Sequence, residues 1–88
     1  MTHEPNTECV RRILYLHGIV SAVILTDQET AAVNIILEQG CSDKGAIAAE
    51  LKDWCGFQFT VYDTEDADRP AYQRTLRDGA RFLVSPGV

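Results

Sequence analysis

From Phe57 to Val84 the hydrophobic pattern changes period twice, and each change marks an element. Phe57-Gln58-Phe59-Thr60-Val61-Tyr62 alternates apolar and polar positions, the period of a half-buried strand. An acidic turn follows, Asp63-Thr64-Glu65-Asp66-Ala67-Asp68. Pro70 then opens a short helix that runs to Asp78 and is stopped by Gly79, and Ala80-Arg81-Phe82-Leu83-Val84 reads as a second strand. The result is a strand, turn, helix and strand with four carboxylates in one connection.

The first half follows the same logic. Val10, Ile13, Leu14 and His17 share one face of a helix from Glu8 to about His17, with Asn6 or Thr7 as its cap and Gly18 as its stop. A strand at Ile13–Leu16 is the rival reading. Ile19-Val20-Ser21-Ala22-Val23-Ile24-Leu25 is nearly continuous and β-branched, as a strand buried on both faces would be. Thr26-Asp27-Gln28-Glu29 has capping-box spacing, and Ala32, Ile35 and Ile36 with Val33 and Leu37 beside them predict a helix to Gln39. Ser42 is the next cap. Ala46, Ile47, Leu51, Trp54 and Cys55 define the apolar face of a helix ended by Gly56. Pro86-Gly87 ends the ordered part, and residues 1–6 read as a flexible polar tail.

The expected order is α-β-α-α-β-α-β in one domain spanning residues 1–88. That makes an α/β or α+β protein: a small three-stranded sheet packed by helices. With 88 residues, only about 60–65% of the unfolded surface becomes buried, so a homodimer or a partner would help a thin core.

Charge narrows the function. Thirteen acids against eight bases give a formal net charge of -5, which argues against direct nucleic-acid binding through phosphates. The pair of segments Thr26–Gln39 and Asp43–Trp54 could be read as a helix-turn-helix, but its second helix would present Asp43, Glu50 and Asp53 to phosphate. Cys9, Cys41 and Cys55 have neither metal spacing nor a Cys-x-x-Cys motif, and an odd count without a signal peptide fits reduced thiols in a cytoplasm. No apolar run is long enough for a membrane span.

Catalytic chemistry is thinly represented. Cys9 and His17 lie eight residues apart, roughly 12 Å of helical rise, and cannot meet within one helix. Cys55 sits on an apolar face, where an inert buried thiol is the usual outcome. Trp54 and Tyr72 read as core or core-edge residues. Asp63, Glu65, Asp66 and Asp68 could hold a hard cation, yet an acidic strand-to-helix loop also serves simply to cap the helix.

The second half resembles that of the minimal, antitoxin-type nucleotidyltransferases. The similarity runs through Ala48-Ala49-Glu50-Leu51-Lys52-Asp53-Trp54-Cys55-Gly56, then Phe59-Thr60-Val61-Tyr62-Asp63, then the segment from Tyr72 to Leu83. The family binds triphosphate with a Gly-Ser after its first strand and two Mg²⁺ ions with an Asp-x-Asp. This chain has Leu14-Tyr15-Leu16-His17-Gly18-Ile19 where Gly-Ser would stand, and Asp66-Ala67-Asp68 lies in another element. The resemblance implies a relative without the chemistry, and no catalytic residue carries over.

The expectation is a non-enzymatic cytoplasmic interaction or regulatory protein that binds a protein partner, as an antitoxin, inhibitor or subunit does. It needs no cofactor and no metal. Its expected contact surface is Asp63, Glu65, Asp66 and Asp68 with Arg74 and Arg77 of the following helix. The alternatives are a Mg–nucleotide-binding enzyme of nucleotidyltransferase type and an acidic protein that mimics nucleic acid.

Overall fold

A computed structural model describes residues 6–84. In chain order the elements are α1 (Thr7–Leu16), β1 (Ser21–Thr26), β2 (Ala32–Leu37), α2 (Lys44–Cys55), β3 (Gln58–Tyr62), a 3-10 turn (Thr64–Asp66), α3 (Pro70–Asp78) and β4 (Ala80–Leu83). The strands form one sheet in the order β3-β2-β1-β4. β1 pairs antiparallel with both β2 and β4, and β3 runs parallel to β2. A parallel neighbour cannot be reached by a tight turn, and α2 supplies the crossover.

Register sorts the side chains. Ala22 pairs with Leu37 and Phe82, Ile24 with Ile35, and Val33 with Phe59. These residues share one face and form a single core with Val10, Ile13 and Leu14 of α1 and Ile47 and Leu51 of α2. Full burial of each such aliphatic side chain contributes roughly 1.5–3 kcal/mol before chain entropy is counted. Val23 and Ile36, on the opposite face, are also buried, and α3 packs on β1 and β2 there. The sheet is therefore covered by two helices on one side and one on the other.

The mixed α/β class is as the sequence indicates, but the strand count is four, not three. The expected helix from Thr26 to Gln39 does not form; β2 occupies its centre and the observed order is α-β-β-α-β-α-β. Tertiary pairing explains the difference. Val33, Ile35 and Leu37 point into the core from β2 while Ile36 is buried from the other face, and a strand between two layers buries all four. The capping box at Thr26 and Glu29 is replaced by a hairpin loop. In it the Glu29 N–H donates to Asp27 Oδ1 at 2.9 Å, and the Ala31 N–H donates to the Asp27 carbonyl at 2.8 Å. Ala31 closes the loop with φ of 59°, a left-handed conformation. The helix-turn-helix reading falls with the lost helix.

The remaining boundaries lie close to expectation. Asn6 caps α1 by accepting from the Glu8 N–H at 2.9 Å, which settles the Ile13–Leu16 segment as helix. Gly18 and Gly56 take φ of 76° and 77° where α1 and α2 end. α3 spans Pro70–Asp78 as read from the sequence. Ser42 is not the cap of α2; Asp43 holds that position without a side-chain capping bond. The expected endpoint at Pro86-Gly87 and the tail up to Pro5 lie outside the described residues.

Candidate functional site

The acidic turn is built inward. Asp63 directly follows β3 and has only 1% of its surface exposed. Its Oδ2 accepts from the Cys41 N–H at 2.9 Å, and its Oδ1 accepts from the Glu65 N–H at 3.0 Å and from Lys44 Nζ at 3.2 Å. Asp66 reaches back: its Oδ2 accepts from the Asp63 N–H at 3.0 Å and from Lys44 Nζ at 2.7 Å. Its Oδ1 accepts from Arg69 Nε at 3.1 Å. Asp63 and Asp66 thus form a capping box for the 3-10 turn, with Lys44 of α2 between them.

The electrostatics follow from these bonds. The Cys41 N–H, and Lys44 after it, hold the Asp63 carboxyl below the usual carboxylate range. The Lys44 ammonium and the Asp63 N–H lower Asp66 to about 2. Lys44 is raised in turn, chiefly by its bond to Asp66. The oxygens that a hard cation would need are already engaged by an ammonium, a guanidinium and backbone donors.

The sequence-selected residues therefore divide. Asp63 is buried and Asp66 is largely covered, so neither presents a contact surface. Glu65, Asp68, Arg74 and Arg77 are exposed. Arg77 is engaged with Asp78 on its own helix, at 3.1 Å from Nε to Oδ1. Arg81 of β4 reaches Glu38, the residue after β2, 2.8 Å from Nε to Oε1. What the structure brings together at the turn is a fold-holding network with Glu65 and Asp68 on its rim.

A different surface carries the two most exposed of the large apolar residues, Leu16 and Trp54, while Val20, Leu76 and Leu83 are exposed outside it. α1 and α2 pack with opposite sense, Cys9 beside Cys55 and His17 Nε2 against Glu50 Oε2. Between them lies a groove of about 500 Å³ lined by Cys9, Arg12, Ile13, Leu16, Glu50 and Trp54. Leu16 is 77% exposed and Trp54 is 73% exposed on its walls. A shallower hollow of about 260 Å³ lies along α1, where Tyr15 and Leu16 meet Val84.

Trp54 corrects the sequence reading, which placed it in the core or at its edge. The inward stripe of α2 is Ile47, Leu51 and Cys55, and Trp54 stands beside it, turned to solvent. Tyr72 is half-buried, at the core edge as expected. His17 pairs with Glu50 and not with a cysteine. An exposed tryptophan on a 12-residue helix is the signal that sequence reasoning missed. It was hidden because the apolar periodicity of α2 includes it.

Among the described residues no helix is long and apolar enough to cross a membrane. No family model, curated protein or solved structure matches the chain.

Proposed function

We propose that this protein is a small regulatory or interaction protein that binds another protein through the groove between α1 and α2. The observation that carries this reading is the pair Leu16 and Trp54, both largely exposed on facing walls of one groove. Exposing large apolar side chains along one groove costs solubility unless a partner covers them. Tryptophan is also among the residues that most often dominate binding energy at protein interfaces.

The partner's chemistry follows from the walls. Apolar anchors fill the space between Leu16 and Trp54. With a net charge of -5, the chain favours a partner segment of positive charge, and salt slows their association. An amphipathic basic segment of another protein meets both requirements. This moves the expected contact surface from the acidic turn, beside Lys44 at the start of α2, to the C-terminal half of α2, leaving Glu65 and Asp68 as rim charges of the turn.

The nucleotide-binding reading has less support, because Lys44 Nζ stands where a divalent ion would bridge Asp63 and Asp66. Mimicry of nucleic acid is likewise thin when two of the four turn carboxylates face inward. A photo-reactive side chain placed at Leu16 or at Arg74 tests the assignment in cells. An adduct with one protein from position 16 and none from position 74 supports the groove. The reverse pattern restores the acidic turn and α3, and no adduct from either withdraws the interaction reading.

A further inference from the structure

Cys9 and Cys55 lie 46 residues apart in the chain, yet Cys55 Sγ is 2.7 Å from Cys9 Sγ. That is within about 0.7 Å of the ~2.05 Å length of a covalent disulfide. Cys9 belongs to the first turn of α1 and Cys55 is the last residue of α2. The two thiols therefore sit where these helices meet, Cys9 lining the groove and Cys55 behind it. We propose that Cys9 and Cys55 are a site of reversible disulfide formation that locks α1 to α2.

The surroundings assign different parts to the two sulfurs. Cys9 lines the open groove and its Sγ lies 3.5 Å from the Trp54 carbonyl oxygen, so a small reagent reaches it first. Cys55 packs against the core cluster behind it. Burial pushes its thiol up to about 12, which keeps it protonated and inert toward outside reagents. Cys41 is remote from this chemistry; it sits between β2 and α2, where its N–H donates to Asp63.

The oxidant is a low-molecular-weight disulfide, for which glutathione disulfide is the probe. The Cys9 thiolate attacks one of its sulfurs, forming a mixed disulfide and releasing one glutathione. The Cys55 thiol then gives its proton to solvent, and its thiolate attacks Cys9 Sγ and expels the second glutathione, which takes up a proton. Two protein thiols become one disulfide, while two electrons and two protons leave on two glutathione thiols. The final bond needs a closure of less than 1 Å, within reach of small side-chain rotations.

The consequence is mechanical. The bond closes a loop of 46 residues and ties together the two helices that form the groove walls. Oxidation thereby fixes Trp54, the neighbour of Cys55, against α1. No Cys-x-x-Cys spacing announces the site, because packing rather than sequence proximity creates it.

The test uses the full chain equilibrated with a series of reduced-to-oxidised glutathione ratios. The intact mass should fall by two hydrogens, and a non-reducing peptide map should join Cys9 to Cys55 with Cys41 free. The melting temperature should rise by roughly 10 °C or more, and dithiothreitol should reverse it. Cys41→Ser should keep that rise, and Cys9→Ser or Cys55→Ser should abolish it. Glutathione adducts alone, cross-linked dimers, a bridge to Cys41, or no reaction would each overturn the proposal.

Discussion

Asp63 and Cys41 are joined by a hydrogen bond of 2.9 Å from the Cys41 N–H to Asp63 Oδ2, across 22 residues of sequence. It ties the loop before α2 to the end of β3, so a carboxylate in an acidic turn acts as a structural clasp. Asp63→Ala leaves the Cys41 and Glu65 N–H groups without their acceptor. The expected loss is about 2 kcal/mol, a fall in melting temperature on the order of 10 °C. Glu65→Gln and Asp68→Asn, on the exposed rim, should stay within roughly 0.5 kcal/mol of the parent in the same thermal or urea titration.

Lys44 and Asp66 set the response to acid. Asp66 is lowered to about 2 by Lys44 and the Asp63 N–H, and Asp63 is lowered as well. An unfolded carboxyl titrates near about 3.9, so below that value the unfolded chain binds protons that the folded chain resists. The stability these groups contribute is full above about pH 5 and is lost as the pH falls from there toward 2. Urea midpoints should hold from neutral pH to about 5 and then drop. Lys44→Met should flatten that acid limb while lowering the neutral-pH midpoint; parallel curves for the two proteins would remove Lys44 from the account.

Ala31 holds φ at 59° in the hairpin between β1 and β2. A side chain in this region costs roughly 1–2 kcal/mol, part of which a glycine regains against its greater unfolded entropy. Ala31→Gly should stabilise the protein by about 0.5–1 kcal/mol. A destabilised variant in chemical denaturation would show that the loop conformation is not the one described.

Gly79 behaves oppositely. A Cβ there would lie 2.5 Å from the Thr75 carbonyl oxygen, 2.8 Å from that of Ile24 and 2.9 Å from Val23 Cγ1. Two of those atoms are backbone and cannot turn away. Gly79→Ala should cost about 2 kcal/mol or more by overpacking α3 against β1. An unchanged melting temperature would mean that α3 does not approach the sheet this closely.

Legibility in the sequence tracked the strength of local punctuation. α3 was readable residue by residue, because Pro70 suits a first helical turn and Gly79 closes the helix. β2 was not. Its residues Ala32 to Leu37 fit helical spacing as well as a strand buried on both faces, and Thr26 with Glu29 mimicked a helix start. Only the partners across the sheet, Ile24 opposite Ile35 and Phe59 opposite Val33, decide between them. The acidic turn was visible, but which carboxylates face inward depends on Lys44 arriving from α2. The α1–α2 groove was invisible, since neither the exposure of Trp54 nor the meeting of Cys9 with Cys55 leaves a spacing signature.

If Leu16 and Trp54 hold a protein partner, removing their side chains should dissolve the complex. The most direct measurement is the affinity of the cross-linked partner, once recovered, for three purified proteins: the parent, Leu16→Ala/Trp54→Ala, and Glu65→Gln/Asp68→Asn. Circular dichroism first establishes that all three are folded. The groove variant should bind at least about 100-fold more weakly and the rim variant within about tenfold of the parent. Parent-like affinity in the groove variant, with loss in the rim variant, would contradict the account and return the contact to the acidic turn.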